Sequence, residues 1–244
     1  MNTVIRVLDL QKSFSGKKVL DGLNLTIEEG ETYVIIGRSG GGKSVLLKHM
    51  IGLSKPDSGI IEVFGNNIVP MPEPELCKIR ERFGVVFQGS ALFDSLTILE
   101  NVGFFLFEHT SLAYGKIMAR VKEVLSLVGL ENILNLYPAS LSGGMRKRVA
   151  LARAIITEPK VLFYDEPTTG IDPILKLEID ELIKNIGKRL GVTSVVVTHD
   201  MVSAYHLADK IAMLDGGKIV ACGSVDEIRS SKDPRVCQFV GGSV

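Results

Sequence analysis

No run of about 18 consecutive apolar residues, the length a membrane-spanning helix requires, occurs in the sequence, so the chain is not expected to cross a bilayer by itself. Cysteine is scarce. Cys77, Cys222 and Cys237 form an odd set without C-x-x-C spacing, which argues against a disulfide framework or a zinc site and suits a reducing cytoplasm. Neither sign of charge is in excess: 28 basic and 28 acidic residues leave a formal net charge of +0, and no overall field draws the chain toward nucleic acid or an anionic membrane. Internal repeats and low-complexity tracts are absent. Met1-Asn2-Thr3 runs straight into strand-like residues 4–8, which does not read as a signal peptide.

What is present is a large apolar complement, 45% of 244 residues, enough to bury the core of one α/β domain with an inserted lobe. Residues 4–8, 23–27 and 60–64 alternate apolar and polar positions, the pattern of antiparallel strands. Thr32-Tyr33-Val34-Ile35-Ile36 is almost continuously apolar, breaks into glycines and resumes at Ser44-Val45-Leu46-Leu47, which reads as strand, loop, helix. Residues 161–164 and 194–197 repeat that buried-strand pattern and end in Asp165-Glu166 and Thr198-His199-Asp200, placing polar chemistry at strand C-terminal ends, where open α/β sheets bind ligands. From Gln88 to Pro159 the pattern turns helical: Ile117, Val121, Val124, Leu125 and Val128 follow three- and four-residue steps, and Ser142 suits the cap of a helix running to about Thr157. Asp215-Gly216-Gly217 between two apolar runs reads as a hairpin turn, and the tail from Ser230 is polar.

The chemistry begins at Gly37-Arg38-Ser39-Gly40-Gly41-Gly42-Lys43-Ser44. This string satisfies G-x-x-x-x-G-K-[ST] with the required strand before it and helix after it. Glycines let successive backbone N–H groups curl around phosphate oxygens, the helix N-terminus adds positive partial charge, Lys43 suits the β and γ phosphates, and Ser44 suits Mg²⁺. In residues 161–166, four apolar positions bury a strand and present Asp165 to a metal shell, leaving Glu166 to orient, or take a proton from, an attacking water.

Leu141-Ser142-Gly143-Gly144-Met145 then resembles the signature motif of ABC ATPases, with Met145 in place of the more frequent glutamine. The resemblance extends over nearly the whole chain and implies a P-loop (RecA-like) α/β core with an antiparallel β subdomain and an inserted helical subdomain. Residues 1–88 and 160–229 are read as core, 89–159 as the helical lobe, and 230–244 as a tail with a possible partner contact. It also implies Mg-ATP hydrolysis in a homodimer, where Ser142, Gly143 and Gly144 of one copy close on ATP held by the P-loop of the other. Gln88 is similar to the family's Q-loop glutamine, which touches Mg²⁺ or water, His199 to the switch histidine, and Asp172 to the D-loop aspartate. Phe14 stands where the family has an aromatic that stacks on adenine, with a core phenylalanine as the competing reading.

Residues 87–97, 141–148, 168–173 and 233–239 look like the ATPase of Mla-type lipid transporters, a group that includes Mce-associated and plastid lipid import systems. That likeness implies membrane permease subunits, an Mce-domain substrate-binding protein, a small regulatory subunit, phospholipid as cargo, and a place on the cytoplasmic face of the inner membrane. Phe104-Phe105-Leu106-Phe107 fits either the family's groove for a permease coupling helix or the core of the helical lobe. Arg146-Lys147-Arg148 reads as a solvated helix face rather than a nucleic-acid patch. The rival readings are a soluble ABC ATPase, for example one serving iron-sulfur assembly, and an ABC transporter of a different substrate.

Overall fold

In the computed structural model, which describes residues 2–241, two sheets carry the fold. The strands β1 (Thr3–Phe14) and β2 (Lys17–Glu28) form a long antiparallel hairpin. Next come β3 (Thr32–Ile36), helix α1 (Lys43–Met50), β4 (Ser58–Val63) and β5 (Asn66–Asn67); β4 and β5 complete a four-stranded antiparallel sheet of order β2-β1-β4-β5. After α2 (Glu73–Arg80) and β6 (Phe83–Val86), three longer helices follow: α3 (Ile98–His109), α4 (Tyr114–Leu127) and α5 (Gly143–Ile155). The chain returns through β7 (Val161–Asp165), α6 (Pro173–Leu190), β8 (Thr193–Thr198), α7 (Met201–Leu207), β9 (Lys210–Asp215) and β10 (Lys218–Gly223). The second sheet has six strands in the order β10-β9-β3-β8-β7-β6, all parallel except the edge strand β10.

The continuously apolar strands are explained by two cores on opposite faces of this sheet. Val34 and Ile36 of β3, Leu162 and Tyr164 of β7, and Val196 of β8 join the helices α3 to α7 on one face. Tyr33, Ile35, Val161, Phe163, Val195 and Val197 join α1 and the antiparallel sheet on the other. A strand buried on both sides has no polar alternation to display.

Caps place the helix starts. Thr97 and Glu100 form a capping box on α3, and Ser142 caps α5 as expected, although α5 ends at Ile155. The stripe Ile117, Val121, Val124 and Leu125 is the buried face of α4. The helix α2 has no counterpart in the periodicity, since Leu76 is its one buried side chain. The core segment closes with α8 (Val225–Arg229), and the tail contains α9 (Pro234–Gly241), with Val236 buried and Phe239 and Val240 packed on the same core as the helices. That i, i+3, i+4 spacing was a readable signal; residues 242–244 of the expected tail lie outside the described residues. Among the described residues no helix is long and apolar enough to cross a membrane.

Candidate nucleotide site

The site grows from the C-terminal edge of the parallel sheet. Where β3 ends, Gly37 passes so close to β9 that an added Cβ would lie 2.4 Å from the Leu214 carbonyl oxygen. Gly42, at φ 99, then turns the chain in the left-handed region and serves as N-cap of α1 without any side-chain cap. Side-chain oxygens cap α3, α5, α6, α7 and α8, whereas α2 and α4, like α1, have no side-chain cap. The first-turn amides of α1 therefore have no side-chain acceptor at the place where a P-loop helix receives phosphate.

Lys43 folds back over this turn. Its Nζ donates to the carbonyls of Gly37 (2.8 Å) and Arg38 (3.2 Å) and lies 3.5 Å from Glu166 Oε1. Only 5% of Lys43 is exposed, whereas Arg38, Ser39 and Gly40 are on the surface. Ser44 Oγ donates to Asp165 Oδ1 at 2.8 Å, joining the start of α1 to the end of β7 across 121 positions of sequence.

Glu166 sits at φ 49, a left-handed conformation costly for a residue with a side chain, and its N–H is tied to the Val197 carbonyl at 2.9 Å. Its Oε2 accepts from His199 Nδ1 (2.9 Å), Thr169 Oγ1 (3.2 Å) and Thr198 Oγ1 (3.4 Å). A carboxylate oxygen only accepts, so Nδ1 carries the proton of this pair. The sequence places Thr198 in a polar strand end and Thr169 in a family-like string but assigns neither a role. Thr198 looks like any β-branched strand residue, and Thr169 lies in a string noted only for its family likeness.

A cavity of about 300 Å³ is bounded by Val19, Ser39, Gly40, Gly42, Lys43, Ser44, Val45, Gln88, Glu166 and His199. Gln88 reaches it from the far sheet edge, and α5 holds it there. Lys147 Nζ donates to the Gln88 carbonyl, while Arg153 donates to the carbonyls of Ser90 (2.8 Å) and Ala91 (2.7 Å), two residues at positive φ. Burial pushes the Lys147 ammonium and the Arg153 guanidinium below their ordinary pKa values. Lys147 therefore belongs to the interior and not to a solvated face with its neighbours.

Other expected site residues are elsewhere. Ser142 and Gly143 are exposed and do not bound the cavity; Ser142 Oγ accepts from Met145 N at 3.2 Å, and an added Cβ on Gly144 would meet the Leu175 side chain at 2.7 Å. Asp172 Oδ1 accepts from Leu175 N at 3.0 Å as the cap of α6. Phe14 is 48% exposed, which rules out a core position, and the Lys12 ammonium lies 5.4 Å from its ring centroid. Leu106 is buried in the helical core, while Phe104 and Phe107 line a surface groove of about 450 Å³ with Leu96, Leu99 and Tyr114.

These residues fit Mg-ATP. An uncapped helix start with a folded-back ammonium suits a polyphosphate, and the paired Ser44 hydroxyl and Asp165 carboxylate are hard oxygen ligands. Among the described residues no cluster of three or more His, Cys, Asp or Glu could hold a metal alone.

The pattern of the family described as "ABC transporter" matches residues 20–169. The chain is 39% identical to the probable ribonucleotide transport ATP-binding protein mkl of Mycobacterium tuberculosis, covering 99% of this chain and 67% of that protein. It is 40% identical to the chloroplastic protein trigalactosyldiacylglycerol 3 of Arabidopsis thaliana, covering 100% and 75%. To the methionine import ATP-binding protein MetN of Corynebacterium efficiens it is 42% identical, covering 90% of this chain and 61% of that protein. Among solved structures, cbiO1 of Clostridium perfringens, part of the complex cbiONQ, aligns with a TM-score of 0.87 at 32% identity over 100% of this chain and 96% of its own. The dimeric ATP-binding cassette MJ0796, bound to ADP and Pi, aligns with a TM-score of 0.82 at 32% identity over 91% and 98%.

Proposed function

This chain belongs to the ABC transporter family and is an ATP-hydrolysing subunit, and from that premise we propose that it energises phospholipid transport as the ATPase of an Mla-type system. Bound ATP supplies the scissile γ-phosphoryl bond, and Mg²⁺ neutralises charge on the phosphates. Gly37, Arg38, Ser39, Gly40, Gly41 and Gly42 wrap the phosphates with backbone donors, and Lys43 holds the β and γ groups. Ser44, Asp165 and Gln88 hold the metal. Glu166 orients the attacking water and takes its proton; His199, already bonded to Glu166, steadies the γ-phosphate. Phe14 stacks on adenine.

The observation that carries the ATP-hydrolysing part of this reading is the junction of Lys43, Glu166 and His199 in one cavity at the uncapped start of α1. Ser142 and Gly143 open a helix start outside that cavity, which supports completion of the site by a second copy. Each signature segment, with Asp172 beside it, then closes on the other copy's nucleotide. In this assignment residues 1–88 and 160–229 act as core and 89–159 as the helical lobe. The groove at Phe104 and Phe107 receives a coupling helix of a membrane permease, and the subunit lies peripherally on the cytoplasmic face of the inner membrane.

The lipid cargo is supported by the residue strings likened above to Mla-type ATPases and by 40% identity to a plastid protein whose name contains a galactolipid. A different cargo is favoured by one specific observation, the 42% identity to a methionine importer. Extraction from membranes with detergent, pull-down and mass spectrometry decide between them. A permease with an Mce-domain protein and a small regulatory subunit supports lipid transport. A methionine permease overturns that cargo, and a soluble scaffold complex overturns transport altogether. Deleting 234–244 tests the tail, for which unchanged complex assembly rejects a partner contact.

A further inference from the structure

Asp180 lies on α6, outside every motif, and is fully buried. Its Oδ1 has no hydrogen-bond partner, and its Oδ2 accepts from Ser203 Oγ at 2.6 Å. A carboxylate in this setting is a poor stabiliser, since desolvation costs more than one hydrogen bond returns, and an apolar residue of similar volume would be neutral or better. Its contacts lead instead to the reacting groups. Because Ser203 donates to Asp180, its hydroxyl is left to accept from Thr168 Oγ1, 3.5 Å away in the loop that follows Glu166. The Ser203 N–H donates to Asp200 Oδ1 at 2.8 Å. Asp200 N–H in turn donates to Thr198 Oγ1 at 3.1 Å, and that hydroxyl donates to Glu166 Oε2. Lys176, one turn before Asp180 on the same helix, pairs with Asp200 Oδ2.

We propose that Asp180 is a positioning residue for ATP hydrolysis, anchoring through Ser203 both the loop after Glu166 and the turn that carries His199. The proposal rests on the roles given above to Glu166 and His199. Asp172 caps the start of α6, so the same anchor ties the D-loop helix to the proton-accepting carboxylate.

The test measures steady-state ATP hydrolysis and thermal midpoint of the full chain in four variants. Asp180→Leu removes the acceptor, Asp180→Asn keeps it, Ser203→Ala breaks the link, and Glu166→Gln is the control. The expected result is a fall in kcat of fivefold or more for Asp180→Leu and Ser203→Ala, with KM for ATP within twofold. The midpoint of Asp180→Leu stays at or above that of the parent, and Asp180→Asn keeps at least half the parent kcat. A purely structural Asp180 would lose midpoint and activity together. Parent-like kcat in both Asp180→Leu and Ser203→Ala overturns the proposal, as does equal loss in Asp180→Asn; if Asp180→Leu does not fold, Ser203→Ala decides. Undiminished hydrolysis by Glu166→Gln instead overturns the reading of the site itself.

Discussion

Glu166 and His199 are joined by a 2.9 Å hydrogen bond between Oε2 and Nδ1, formed between the ends of the neighbouring parallel strands β7 and β8. The bond holds the proposed base at one edge of the cavity, which the half-exposed His199 also lines.

Glu166→Gln is expected to lower kcat by about 10²–10⁴-fold, the range for loss of a general base, while nucleotide affinity is kept. The amide still occupies the same pocket and accepts from His199. Single-turnover hydrolysis and light scattering with ATP read both halves of the prediction: slow chemistry and an accumulated dimer. Parent-rate hydrolysis would remove Glu166 from the role of base.

Lys43→Ala is expected to weaken ATP binding by tenfold or more, measured by calorimetry. Lys43 is almost fully buried and bonded to two P-loop carbonyls, so its loss also slackens the turn. Lys43→Arg tests the shape of that pocket, because the wider guanidinium cannot keep both carbonyl bonds and reach phosphate.

Ser142 caps α5, and the proposed dimer gives it a second, separable job. Ser142→Ala removes the cap of α5 and should cost about 1 kcal/mol, lowering the melting temperature by about 2–4 °C. Ser142→Asp restores a cap of equal strength but sets a carboxylate where the γ-phosphate of the second copy is proposed to sit. It should melt like the parent and fail to form an ATP-dependent dimer. A normal dimer in Ser142→Asp would sink the shared-nucleotide arrangement.

Burial pushes the Asp180 carboxyl up to about 6, opposed by its bond from Ser203 and the charges of His206 and Lys176, while the like charge of Asp200 adds to the rise. An acid with a raised folded-state pKa binds its proton more tightly in the fold. Its contribution to stability is therefore greatest at low pH and is lost as pH rises from about 4 to about 6, by up to about 3 kcal/mol. Asp180→Asn should remove this component. The stability of the variant relative to the parent should climb across that window and level off above it, as read by denaturant unfolding at several pH values. A flat difference would place the Asp180 titration outside the window.

Backbone chemistry was legible from the chain alone because it is contiguous. The glycine spacing of residues 37–42, with an apolar strand before and a helix after, needs only local dihedral freedom and a helix N-terminus. The three doubly buried strands and the stripe of α4 were likewise visible, since burial writes its period directly into composition. Residues 234–241 carried such a period in Val236, Phe239 and Val240, yet the polar surroundings of α9 masked it.

Contacts across distant positions had no such trace. Lys147 grips the carbonyl of Gln88, and Thr198 and Thr169 share the carboxylate of Glu166 only because the sheet order sets β3, β8, β7 and β6 side by side. A lone aspartate on an amphipathic helix carries no sign of being dry, and Asp180 became distinctive once α7 covered it and left one of its oxygens unpaired. Local geometry follows from neighbouring residues. Desolvation and long-range pairing belong to the packed whole, because they depend on which surfaces the fold brings together and shuts away from water.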